Sequence, residues 1–164
     1  AEEIKSKVKE LAKQIEKDYA GEELLVVGIL KGASVFCADL IREIDLDVRM
    51  DFMVVSSYGS STESSGTVKI IKDLDVDIEN KNVLIVEDII DSGLTLSSLV
   101  AALKTRRPKS LKLCTLLDKP QRRTANIDVD YVGYVIEDKF IVGYGIDYDE
   151  KYRNLPYIGI VEDI

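Results

Sequence analysis

Short apolar runs at residues 24–30, 83–86 and 111–117 alternate with segments of helical spacing. Each run is too short for a buried helix and reads as a strand covered on both faces. In the first segment Ile4, Val8, Leu11, Ala12 and Ile15 recur at helical intervals with charges between them. That pattern predicts an amphipathic helix over residues 2–19 that packs on a sheet. Further helices are predicted over 33–43 and 95–106. Strands alternating with helices imply an α/β fold with a parallel sheet. Val48, Met50, Phe52 and Val54 alternate with Arg49, Asp51 and Met53, which predicts a strand with one buried face. A short strand is expected at 68–71, followed by an acidic turn over 73–82 in which Asp75, Asp77 and Glu79 are solvated. From Asn126 onward no helix is evident, and short runs at 131–136, 140–142 and 157–161 predict a small β-rich lobe or hood.

The 164 residues suit one domain, and 46% apolar residues suffice for a core. No run approaches the ~18 to 20 apolar residues of a membrane helix, and no signal segment opens the sequence. A soluble cytoplasmic protein without membrane contact is expected. The chain opens on Ala1 rather than methionine, consistent with processing, trimming or engineering. Cys37 and Cys114 lie in apolar stretches without metal-ligand spacing and read as buried thiols in a reducing compartment. With 22 basic and 30 acidic residues the net charge is −8, which argues against a broad nucleic-acid interface. Histidine is absent, so any acid, base or metal ligand must be Asp, Glu, Lys, Tyr or Cys.

The segment VLIVEDIIDSGLTL, residues 83–96, concentrates the chemistry. A buried strand runs into three carboxylates, then Ser92, Gly93, Thr95 and a helix. Ligands of parallel sheets lie beyond the carboxyl ends of strands, where the next helix offers unpaired N–H groups to an anion. Gly93 lets backbone approach a phosphate. Glu87, Asp88 and Asp91 would repel a bare anion, which a polyol or a divalent cation resolves. Glu87 and Asp88 can accept from the two hydroxyls of a ribose, directly or through Mg²⁺, while the turn beyond holds a phosphate on the sugar. The plainer alternative is a helix cap preceded by strand-end charges.

Residues 86–95, VEDIIDSGLT, resemble the phosphoribosyl-pyrophosphate motif of type I phosphoribosyltransferases. LKGA at 30–33, SSYG at 56–59, LLDKP at 116–120 and VGYGIDYDEKYRNLPYIG at 142–159 are similar to the bacterial hypoxanthine-guanine members, so the likeness spans nearly the whole chain. The resemblance implies the type I fold: a central, mostly parallel sheet flanked by helices, a hood from about residue 126, and a mobile lid over about 57–67 that begins at Ser57 and Tyr58. The polar composition of 58–66 agrees with mobility, and an ordinary connector remains the alternative.

The resemblance also implies a reaction: transfer of the 5-phosphoribosyl group from phosphoribosyl pyrophosphate to N9 of hypoxanthine or guanine, yielding IMP or GMP and pyrophosphate, with Mg²⁺ as cofactor. Asp91 would be the catalytic carboxylate facing N7. Glu87 and Asp88 would bind ribose and metal, and Asp91, Ser92, Gly93, Leu94 and Thr95 the 5′-phosphate. Lys31 and Gly32, where the Leu30–Lys31 peptide can be cis, would bind pyrophosphate together with Arg153. Lys119 would donate to the 6-oxo group, Phe140 stack on the base, Ile141 contact it through backbone, and Asp147 lie near it and hold a second Mg²⁺. Taken alone, Lys31, Lys119, Phe140, Ile141, Asp147 and Arg153 would pass for ordinary surface or core residues. A homodimer or homotetramer is implied. Arg107 stands where the relatives commonly have glycine, so a left-handed helix end there would be strained. The rival reading is a regulator that senses phosphoribosyl pyrophosphate and binds nucleic acid; Asp91, the Lys119 and Phe140 base pocket and the acidic charge favour an enzyme.

Overall fold

A computed structural model describes residues 1–57 and 68–162. Helix α1 spans Glu2–Asp18, strand β1 Leu24–Ile29, α2 Ser34–Glu43, β2 Val48–Ser57, β3 Val68–Lys72, β4 Asn82–Ile90, α3 Leu94–Lys104 and β5 Ser110–Asp118. A 3-10 turn at Pro120–Arg122 leads to β6, Tyr131–Val135, and to the two-residue strands β7, Ile141–Val142, and β8, Gly159–Ile160. The main sheet runs β3-β2-β1-β4-β5-β6. All its pairings are parallel except β2 with β3. This is the α/β architecture expected, with helices on both faces of the sheet.

Alternation along β1 explains the two cores. Leu24 and Val26 face α1 and α2, joining Val8, Leu11, Ile15, Phe36 and Leu40; Leu25 and Val27 face α3, joining Leu96, Leu99 and Leu103. Each such side chain contributes about 1.5–3 kcal/mol when fully buried. Both strand faces are covered, which is why β1 reads as an unbroken apolar run. Cys37 and Cys114 are buried and free, in the α1–α2 core.

Two expectations change. In β2 the single-face pattern fails: Asp51 and Met53 are buried while Met50 is 45% exposed. The Asp51 carboxylate tolerates burial because it accepts from the Phe52 and Asp75 amides and lies 3.8 Å from Lys72 Nζ. Residues 131–135, expected in the hood, instead form the sixth strand of the main sheet beside β5, leaving β7 and β8 as a separate antiparallel pair. Arg107 does adopt the left-handed conformation, φ 56°, its amide donating to the Lys104 carbonyl and its own carbonyl accepting from Asn80. Among the described residues no helix is long and apolar enough to cross a membrane.

Candidate active site

The candidate residues gather at the carboxyl ends of β1, β4 and β5, where parallel sheets place their ligands. Strand β4 continues to Ile90, so Glu87 and Asp88 stand within the strand rather than beyond its tip, with Glu87 opposite Thr115. Both retain some solvent contact, but the surrounding chain dehydrates them. Burial, reinforced by the charge of Asp88, raises Glu87 well above the usual carboxylate range. Burial also brings Asp88 up from 3.8 to about 6, opposed by the Ile89 amide and the Arg153 charge. Two crowded, dehydrated carboxylates favour the arrival of a diol or a cation.

Gly32 belongs to the turn after β1, and a β-carbon at that position would collide with the Asp88 carboxylate. Glycine lets this turn lie directly against the Asp88 carboxylate. The preceding Leu30–Lys31 peptide is cis.

The turn after β4 carries Asp91, Ser92 and Gly93. Gly93 has φ 77° and begins α3 without a side-chain cap. The Ser92 hydroxyl accepts from the Leu94 amide at 3.3 Å, and Thr95 lies in the first helical turn. First-turn amides lack acceptors within their own helix, so this end of α3 can receive an anion. The segment after β5 braces the turn. Arg123 Nε donates to the Asp91 carbonyl at 3.2 Å, its guanidinium pairs with Asp118, and the Thr124 and Ala125 amides both donate to the Ser92 carbonyl.

Lys119 is buried, with its amide donating to the Ile90 carbonyl. Its Nζ lies 3.7 Å from Asp91 Oδ1 and 3.6 Å from Asp138 Oδ1. Two residues from separate motifs thus meet in one ion-paired group. Phe140 is 47% exposed and meets the Tyr148 ring edge-on at 5.3 Å, whereas the Ile141 side chain is buried in β7.

Arg153 Nη1 donates to the Gly145 carbonyl at 2.8 Å, while Nη2 lies 3.3 Å from Glu150 and 3.5 Å from Asp147. Lys31 Nζ reaches the same Glu150 carboxylate at 3.1 Å. Arg123, Asp138 and Glu150 escaped the sequence reading; each acts through partners distant in sequence, and no spacing signals that. Of the expected lid, Tyr58 and the residues up to 67 lie outside the described residues, and of Ser57 only the backbone, at the end of β2, is described.

Among the described residues no cluster of three or more metal-ligating side chains forms. Mg²⁺ commonly takes only one or two carboxylates and completes its shell with substrate oxygens and water. The Glu87 and Asp88 pair fits that donor set, since a cation would offset the loss of water that chiefly raises both groups.

Residues 1–149 match the family model for the phosphoribosyl transferase domain. The chain is 58% identical over 161 residues to the hypoxanthine-guanine phosphoribosyltransferase of Bacillus subtilis, covering 98% of this chain and 89% of that protein. It is 55% identical to the bifunctional protein TilS/HprT of Listeria monocytogenes, of whose length it spans 25%. A crystal structure of a hypoxanthine-guanine phosphoribosyltransferase from Bacillus anthracis superposes with a TM-score of 0.95 at 58% identity, covering 98% of this chain and 95% of that one. The strand-to-helix turn with its paired carboxylates, set in this sheet and matched along nearly the full length, places the chain in the phosphoribosyltransferase family, with the bacterial hypoxanthine-guanine phosphoribosyltransferases.

Proposed function

We propose that this chain transfers the 5-phosphoribosyl group of phosphoribosyl pyrophosphate to N9 of hypoxanthine or guanine, releasing pyrophosphate and forming IMP or GMP, a purine-salvage reaction. The observation that carries this reading is the Asp91 and Lys119 pair, 3.7 Å apart, beside the carboxylates of β4. It sets a carboxylate that can take a proton next to a cation that can mark a carbonyl.

In the reaction the bond from ribose C1 to the pyrophosphate oxygen breaks as N9 bonds to C1, and the purine gives up a proton. Asp91 handles that proton at N7. Lys119 donates to the 6-oxo group, which adenine lacks. Phe140 offers its exposed face to the base, Ile141 its backbone to the pyrimidine edge, and Asp147 lies close by. Glu87 and Asp88 hold the ribose hydroxyls. Asp91, Ser92, Gly93, Leu94 and Thr95 surround the 5′-phosphate at the start of α3. Lys31, Gly32 and Arg153 bind the pyrophosphate, the planar guanidinium of Arg153 suiting its oxygens. Glu87 and Asp88 would hold Mg²⁺ and Asp147 a second Mg²⁺, which would supply neutralising charge for the departing pyrophosphate.

Incubation with Mg²⁺, phosphoribosyl pyrophosphate and a panel of free bases, followed by mass detection of nucleotides, tests the reading. IMP and GMP are expected; products from other bases alone would overturn it. A cytoplasmic homodimer or homotetramer belongs to the same proposal, and light scattering measures the assembly.

A further inference from the structure

Lys31 and Glu150 stand 119 residues apart in sequence, yet Glu150 Oε2 accepts from Lys31 Nζ at 3.1 Å. The other oxygen, Oε1, accepts from Arg153 Nη2 at 3.3 Å. One carboxylate therefore spans the two cations assigned above to pyrophosphate. Its placement is set by the loop: the Glu150 amide donates to Asp147 Oδ2 at 2.9 Å, and Tyr148 and Lys151 close a small backbone bridge around it. The Lys31 and Glu150 side chains are 69% and 64% exposed. Exposed pairs of this kind are weak and yield to a more highly charged ligand. With Asp147 3.5 Å from Arg153, the two cations are fully balanced by two carboxylates. A pyrophosphate approaching them therefore meets a neutral group.

We propose that Glu150 is an internal counter-anion of the pyrophosphate subsite, occupying Lys31 and Arg153 while that subsite is vacant and swinging away when a pyrophosphate group engages them. This rests on the assignment of Lys31 and Arg153 to pyrophosphate. Exchange of one anion for another lowers the affinity of the subsite and eases departure of product. It also favours ligands with enough oxygens to replace both contacts, so pyrophosphate gains over single phosphates.

Calorimetric titration of Mg²⁺-pyrophosphate into the wild-type protein, Glu150→Gln, Glu150→Ala, Lys31→Ala and the Lys31→Ala/Glu150→Gln double variant tests this. Both Glu150 variants are expected to bind about three- to tenfold more tightly. The KM for phosphoribosyl pyrophosphate should fall in parallel, with the KM for hypoxanthine little changed. In the Lys31→Ala background the gain from Glu150→Gln should shrink. Unchanged or weaker pyrophosphate binding by the Glu150 variants overturns the proposal while leaving the subsite intact. If Lys31→Ala itself binds pyrophosphate like the wild type, the subsite assignment fails and the proposal with it.

Discussion

The backbone of Gly32 lies against the carboxylate of Asp88, so closely that no β-carbon fits between them. The turn after β1 thereby touches the acidic end of β4, and a side chain at position 32 would have to displace the Asp88 carboxylate. Gly32→Ala should displace Asp88 while leaving the two cores untouched. We expect kcat/KM to fall by about 100-fold, as for a misplacement of about 1 Å in a reacting group. Steady-state assays paired with circular dichroism check this; an active Gly32→Ala enzyme would mean that Asp88 can move without consequence.

Asp91 is expected to act on the purine proton and not on folding, since its side chain is half exposed. Asp91→Asn keeps the shape and removes the base. The turnover number should drop by about 10²- to 10⁴-fold, with the KM for phosphoribosyl pyrophosphate changing much less. A full kinetic analysis across pH gives the measurement, and an undiminished rate would remove Asp91 from the chemistry.

Lys119 is held between Asp91 and Asp138, which points its ammonium group without leaving it to solvent. Lys119→Met preserves most of the volume and deletes the donor. Loss of a charged hydrogen bond to the 6-oxo group should lower kcat/KM for hypoxanthine by about 10- to 100-fold. The preference over adenine should narrow accordingly. Competition assays with both bases settle it; preserved selectivity would assign the discrimination elsewhere.

The sheet was legible because its inner strands are covered on both sides: β1, β4 and β5 stand out as apolar runs whatever their neighbours are. Residues 131–135 carried a strand signal but no statement of partner, and pairing with β5 is a long-range fact. Asp51 misled for a related reason. Polarity predicts exposure, yet two backbone amides and a lysine compensate this carboxylate inside. In the site, the carboxylates and the hydroxyl-bearing turn share one contiguous motif and could be read directly. Asp138, Glu150 and Arg123 act by reaching across the fold, so their roles appear only once Lys119, Lys31 and the Asp91 turn are positioned around them.

Both thiols should be inert in the folded protein. Burial pushes Cys37 up to about 11, and burial with the charge of Cys37 pushes Cys114 higher still. The thiolate is the reactive form, so neither should react with a disulfide reagent such as DTNB at pH 8 within minutes. In denaturant both should titrate rapidly. Fast labelling of the native protein would show that the α1–α2 core opens more readily than its packing implies.

Asp88 should make the ligand-free protein less stable than it could be. Its folded-state pKa, about 6, lies above the 3.8 of the free side chain, so folding favours the protonated form. The resulting contribution is fully present below pH 3.8, declines as pH rises, and is gone above about 6. At pH 7.5 the wild-type chain therefore carries an unfavourable charge that Asp88→Asn lacks. The gap between the two pKa values sets an upper limit of about 3 kcal/mol, and residual solvent contact reduces it to about 1–3 kcal/mol. Urea unfolding in EDTA should show Asp88→Asn more stable at pH 7.5 and the gain roughly halved at pH 5. The same variant should lose most of its transferase activity, because the group that weakens the empty protein is the one assigned to ribose and metal. Equal stability of the two proteins at pH 7.5 would show that Asp88 is better hydrated than its surroundings in β4 imply.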